Sequence, residues 1–140
     1  MHSIKTRSYG IVPVEIGKLR APSFLILRAF RNWDFPKGGA DDGENALEAA
    51  TRELKEETGL TDFSFDWGEK SMDTKKYSNG KVATYYLAKI IKSELILPIN
   101  PELGKPEHDE YRWATFIEAQ DLLPKRLIPI LQWANQLVSM

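Results

Sequence analysis

A chain of 140 residues, 42% hydrophobic and 28% charged, has the length for one domain with a single sizeable core and the composition of a soluble globular protein. It has no cysteine, which excludes disulfides and thiolate metal sites, and only His2 and His108 are available to a zinc centre. A net charge of −1 argues against a broad grip on a nucleic-acid backbone, no apolar run approaches a membrane span, and MHSIKTRSYGIV lacks the apolar core of a secretory signal, so the expectation is one cytoplasmic domain over residues 1–140 with no membrane and no stable nucleic-acid partner.

In chain order, SYGIVPVEI (8–16) reads as a first strand, which Pro13 assigns to an edge, an end or a bulge. GKLRAP (17–22) is a turn-rich connector, and SFLILRAF (23–30) is a short apolar run suited to a buried strand pairing with the first as a hairpin. RNWDFPKG (31–38) reads as a stiff loop, because Trp33, Phe35 and Pro36 restrict it. Lys37 ends this loop as a cation placed to reach a phosphate, or as an ordinary surface lysine. GGADDG (38–43) is neither a P-loop nor a dinucleotide fingerprint, since no Gly-Lys-Ser/Thr follows and the glycine spacing is wrong.

A helix of about four turns fits from Asn45 to Thr58. Leu47, Ala50 and Leu54 recur at i, i+3 and i+7 as one buried stripe, and Gly59 stops the helix in the left-handed position that suits glycine. Glu53, Glu56 and Glu57 stand at i, i+3 and i+4, so three carboxylates share one patch of helix surface beside the small Ala46 and Ala49. Arg52 lies four residues before Glu56 and can bridge to it. The spacing also fits a solvated acidic face, but such a face interleaves lysines at i+4, and Lys55 alone does not. Clustered carboxylates repel each other, and a hard divalent cation such as Mg²⁺ relieves that repulsion while binding substrate phosphates.

Beyond the helix, Phe63, Phe65 and Trp67 alternate as in a half-buried strand. Asn79-Gly80 marks a hairpin turn, and VATYYLAKII (82–91) follows as a buried strand. Residues 98–108, PINPELGKPEH, form a sizeable loop, and EYRWATF (110–116) reads as the last strand. Thr115 and Glu118 make a capping box opening a short helix that Pro124 ends. Leu127, Ile130, Leu131, Ala134 and Leu137 give a final amphipathic helix, with Pro129 tolerated in its first turn. Strands mixed with two longer helical segments make an α/β domain, without choosing among α/β architectures.

Gly38, Glu44, Arg52-Glu53, Glu56-Glu57 and Gly59, with Leu54 and Leu60 in the apolar slots, match at every position the box of the Nudix hydrolase family, which the chain therefore resembles. That resemblance implies a mixed sheet between helices, an α/β/α sandwich with the box as loop–helix–loop. It implies Mg²⁺, or Mn²⁺ in its place, as cofactor, and hydrolysis of a phosphoanhydride bond in a nucleoside diphosphate-linked compound. It also implies Glu53, Glu56 and Glu57 as metal ligands with the Gly38 carbonyl, Glu44 joining through water, and Arg52 orienting the acids. The general base varies across the family; Glu53, Glu107 and Glu110 are the candidates here.

Outside the box, NWDFPKG, VATYYLA and PEHDEYRW resemble segments of the asymmetrical bis(5′-nucleosyl)-tetraphosphatases. This finer resemblance implies a small nucleotide partner, diadenosine tetraphosphate, split into ATP and AMP. It makes Lys37 and Lys81 phosphate contacts, Glu107 an auxiliary acid and Tyr85 a nucleotide contact, with core packing the competing reading of Tyr85. Gly39 departs from that pattern, which has histidine there. Gly38-Gly39 resembles instead the F-P-Q-G-G of the RNA 5′-pyrophosphohydrolases, which have glutamine where this chain has Lys37. RNA 5′-pyrophosphate removal is thus the alternative activity, and a nucleotide-binding module without turnover the alternative of a different class.

Overall fold

A computed structural model describes residues 6–17, 20–91 and 94–140. The elements run β1 (Thr6–Glu15), β2 (Ser23–Ala29), β3 (Asn32–Asp34), β4 (Lys37–Gly38), α1 (Ala46–Thr58), β5 (Phe63–Ser64), β6 (Ser71–Asp73), β7 (Lys81–Ile90), β8 (Ile99–Asn100), β9 (Lys105–Pro106), β10 (Glu110–Ala114), α2 (Phe116–Leu122), a 3₁₀ turn (Lys125–Leu127) and α3 (Ile128–Val138). Strands β10-β2-β1-β7-β5 form the main path of the sheet, with β3 on β2, β4 on β1 and β6 on β7. The β1–β7 pair is parallel and the others antiparallel, so the sheet is mixed.

Successive residues of the central strands feed opposite faces, which is why these strands read as unbroken apolar runs. Val12, Phe24 and Ile26 join Leu127, Ile130, Leu131 and Ala134 on the α2–α3 side. Ile11, Leu25 and Leu27 join Ala50, Leu54 and Leu60 on the α1 side. Helices thus cover both faces, the expected sandwich. No helix among the described residues is long and apolar enough to cross a membrane.

The helix boundaries follow local chemistry. Asn45 caps α1 through a reciprocal bond pair with Glu48, and Gly59 ends it at φ 74° with its N–H on Lys55 O. The Thr115–Glu118 capping box and Pro129 in the first turn of α3 are also present.

Several expectations are corrected. β1 is interior, flanked by β7 and β2, and not an edge. Ile11 N–H donates to Pro36 O at 3.1 Å, so by the two-residue period the N–H that Pro13 lacks falls on that same flank. There it meets the gap between the β4 pairing at Tyr9–Gly10 and the β2 pairing at Val14–Glu15. The stiff segment 31–38 is not loop alone but contains β3 and β4. The Phe63–Trp67 alternation stops after Ser64, where Gly68 N–H closes a turn on Phe65 O. Residues 98–108 contain the β8–β9 hairpin. Lys18 and Leu19 of the connector lie outside the described residues, as does His2.

Candidate active site

The last two turns of α1 lie against β4, and this contact sets the positions of the acids. A Cβ on Gly38 would collide with the Glu53 carboxyl, so a larger residue there would displace that side chain. One residue earlier, Lys37 N–H donates to Glu57 Oε2 at 2.9 Å. The backbone of the box's entry strand therefore touches both Glu53 and Glu57.

Arg52 organises the outer acids. Its Nε and one terminal nitrogen fork onto Glu44 at 2.7 and 3.1 Å. The other terminal nitrogen donates to Glu53 at 2.9 Å and to Glu56 at 3.1 Å, while the nitrogen shared with Glu44 also donates to Gly39 O at 2.7 Å. The guanidinium holds Glu44 below the usual carboxylate range, and Glu44 above all holds Arg52 still more firmly protonated. Glu53 is shifted up, because burial outweighs its bond to Arg52. Glu56, 59% exposed, points to the solvent side.

Glu57 sits differently. Burial, reinforced by the charges of Glu107 and Glu53, pushes its carboxyl up to about 10, against the opposing bond from Lys37 N–H. His108 Nε2 lies 3.4 Å from Glu57 Oε1, and burial lowers its pKa, so the ring is neutral at pH 7. Among the described residues, His108 Nδ1 is buried without a partner. Glu57, Glu107 and His108 each offer a ligand atom within 4.8 Å of the others. The carboxylates of Glu57 and Glu107 offer oxygen donors suited to a hard divalent cation, with the imidazole of His108 beside them.

These residues border a cavity of about 420 Å³, which also exposes Lys37, Lys81, Tyr77 and Arg126. Asp34 sets its cations. Its carboxylate accepts from Arg126 at 2.9 Å and from the Tyr85 hydroxyl at 2.7 Å, and lies 3.5 Å from Lys37 Nζ. Arg126 also stacks 4.4 Å above the Tyr77 ring. Lys81 reaches the same cavity from the hairpin closed by its reciprocal bonds with Tyr77.

Of the residues selected from sequence, Lys37, Lys81, Glu57 and Glu107 meet at this cavity, and Gly38, Arg52, Glu53 and Glu56 adjoin it along α1 and β4. Tyr85 does not: it is 0% exposed, edge-on to Phe35, with its hydroxyl on Asp34. The nucleotide-contact assignment is therefore corrected to core packing. Glu110 is also drawn away, bonded to Arg28 Nε at 2.6 Å. His108, Asp34 and Arg126 were not selected from sequence. The Glu-His pair within PEHDEYRW carried a signal for His108; nothing local marked Asp34 or Arg126, which come together across 92 positions.

The NUDIX domain profile matches residues 5–134. The chain is 32% identical over 118 residues to an RNA pyrophosphohydrolase of Rhizobium meliloti, covering 74% of this chain and 68% of the relative. It is 35% identical over 108 residues to that of Helicobacter pylori, covering 69% and 64%. Against a Shewanella pealeana RNA pyrophosphohydrolase, 32% identical, the match spans 57% of the relative's length. Among solved structures, a C. elegans Ap4A hydrolase binary complex superposes with TM-score 0.77 at 26% identity, covering 94% of this chain and 98% of that one.

Proposed function

The chain belongs to the Nudix family, and from that premise we propose that it is a pyrophosphohydrolase of a dinucleoside polyphosphate, splitting diadenosine tetraphosphate into ATP and AMP. The observation that carries this reading is the meeting of Glu57 and Glu107 with Lys37, Lys81 and Arg126 around one cavity. Phosphoryl transfer needs charge neutralisation and a positioned water, and an acid cluster beside three cations suits a polyphosphate. The likeness to the nematode Ap4A hydrolase supports the substrate class.

A Mg²⁺ ion, or Mn²⁺ in its place, held by Glu53, Glu56 and Glu57 with the Gly38 carbonyl, would neutralise phosphate oxygens and acidify a water. The chain's residues do the rest. Arg52 fixes the rotamers of Glu53 and Glu56. Lys37 and Lys81 grip phosphate oxygens, with Asp34 holding Lys37 in place. Glu107, which has no side-chain hydrogen bond among the described residues, is free to take the proton of the attacking water. Water adds across the P–O–P bridge, its hydroxyl going to the attacked phosphorus and the bridging oxygen leaving with the other half.

A second reading, removal of pyrophosphate from RNA 5′ ends, draws support from the names of the curated relatives and from Gly38-Gly39. One assay separates them: a Mg²⁺ panel of diadenosine tetraphosphate, triphosphorylated RNA, ADP-ribose, nucleotide sugars and nucleoside triphosphates, run in heavy-oxygen water with products identified. ATP and AMP from diadenosine tetraphosphate, lost in chelator and restored by Mg²⁺, is the expected result. Pyrophosphate released from RNA alone would transfer the assignment to the second reading, and turnover of neither would overturn both.

A further inference from the structure

The acids that meet the cation-rich cavity also wall a second one. Glu57 and Glu107 line both, and the second, about 440 Å³, extends the other way along α1 toward the β8–β9 hairpin. Its remaining walls are Lys55, Glu56, Pro98, Ile99, Asn100 and Pro101. Both volumes fall within the range of about 300–1,000 Å³ usual for small-molecule sites. A bond broken at the shared acids leaves one product on each side.

The two sides differ in chemistry. Leaving out the shared acids, the first cavity has Lys37, Lys81 and Arg126 against Asp34 alone. The second has one cation, Lys55, against one acid, Glu56, and its hairpin wall is largely apolar. Leu95 and Leu97 pack on the core beside α1 and pin the chain before the hairpin. Ile99 is nonetheless left 68% exposed on the cavity wall. The Asn100 side-chain oxygen Oδ1 accepts from Glu102 N–H at 2.9 Å, which leaves the side-chain NH₂ to donate. Lys55 has no ion pair among the described residues. An apolar wall, a spare amide donor and one lysine match a nucleoside carrying a single phosphate; a chain of several phosphates is better satisfied on the first side.

We infer that the cavity between α1 and the β8–β9 hairpin binds the nucleoside 5′-monophosphate half of the substrate, with Ile99 against the base, Asn100 donating to it and Lys55 on its phosphate. This rests on the hydrolase reading and adds a direction to it: the phosphate-rich half lies under Lys37, Lys81 and Arg126, the monophosphate half under the hairpin.

The test is amide NMR of the full chain with Mg²⁺, titrated with AMP and separately with inorganic tripolyphosphate, for wild type and Ile99→Glu. AMP should shift Lys55, Ile99 and Asn100, and tripolyphosphate Lys37, Lys81 and Arg126. Ile99→Glu, a change at an exposed position, should weaken AMP about tenfold by bringing a charge against the base. Its response to tripolyphosphate should stay that of wild type, which also reports an intact fold. AMP shifts confined to Tyr77, Lys81 and Arg126, or undiminished AMP affinity in Ile99→Glu, would overturn the inference. Turnover of diadenosine tetraphosphate is scored separately. Turnover with AMP on the wrong side defeats the subsite alone; AMP in the hairpin cavity without turnover supports the subsite and defeats the reaction.

Discussion

Glu44, Glu53 and Glu56 surround Arg52, whereas Glu57, on the same helix, has no side-chain cation nearer than a neutral His108 among the described residues. The fold supplies a counterion to the first group and withholds it from the second. The first group is thereby held to one guanidinium on α1. The second carries a carboxyl pushed up to about 10 and an imidazole with a buried, unpartnered nitrogen. A buried carboxyl without a paired cation costs stability when it ionises, which sets Glu57 apart from the three acids around Arg52.

The sharpest way to break this contrast is to change one acid of each kind. Glu57→Gln keeps the bond from Lys37 N–H but loses the charge, and kcat should fall on the order of 10³-fold. The same variant should be more stable than wild type without metal at pH 7, by about 1–3 kcal/mol in chemical denaturation, because no buried carboxyl remains to be held protonated. The sign follows from linkage. The unfolded chain releases the Glu57 proton near 4.5 and the folded chain keeps it to about 10. Metal-free wild type should therefore lose stability as pH rises across that window, by up to about 1 kcal/mol per pH unit. Denaturation midpoints measured from pH 5 to 9 check this, and in Glu57→Gln the slope should flatten.

Arg52→Ala acts on the paired group. Freed of their common donor, Glu53 and Glu56 lose orientation, and activity should fall about 10- to 100-fold. Steady-state rates across a Mg²⁺ titration would show part of that loss recovered at high metal. Lys37→Ala removes the ammonium but keeps the backbone bond to Glu57, so KM for a polyphosphate should rise about tenfold with a smaller change in kcat. Unchanged kinetics would return Lys37 to the role of a surface lysine. Smallest is Tyr85→Phe, which deletes one hydroxyl bond to Asp34 and should cost about 1 kcal/mol of stability with little change in KM.

What the sequence revealed of this arrangement divides by range. The helix from Asn45 to Gly59 was legible because its stripe and its stop are within the helix or next to it, though its Asn45 cap was read only from the structure. The outer acids were legible with it, since Arg52, Glu53 and Glu56 share adjacent turns. The inner cluster was legible only in half. Glu57 was visible on the helix, but its neutral partner His108 lies 51 positions away on a polar segment, and one histidine among charged residues has no period to betray it. Asp34 and Arg126 are joined by a hydrogen bond between β3 and the 3₁₀ turn, which no local pattern encodes. Tyr85 shows the opposite error: the VATYYLA match suggested a nucleotide contact, while the alternation of a strand buried on both faces turns this tyrosine inward.

The central claim is that Glu57 is the acid that awaits a cation. It is tested most directly by calorimetric titration of Mg²⁺, and of Mn²⁺ in parallel, into metal-free wild type and Glu57→Gln at one pH. The contrast predicts a loss of affinity of about 10- to 100-fold in the variant, with its fold intact and its metal-free stability raised. Equal affinity in the two proteins would contradict it.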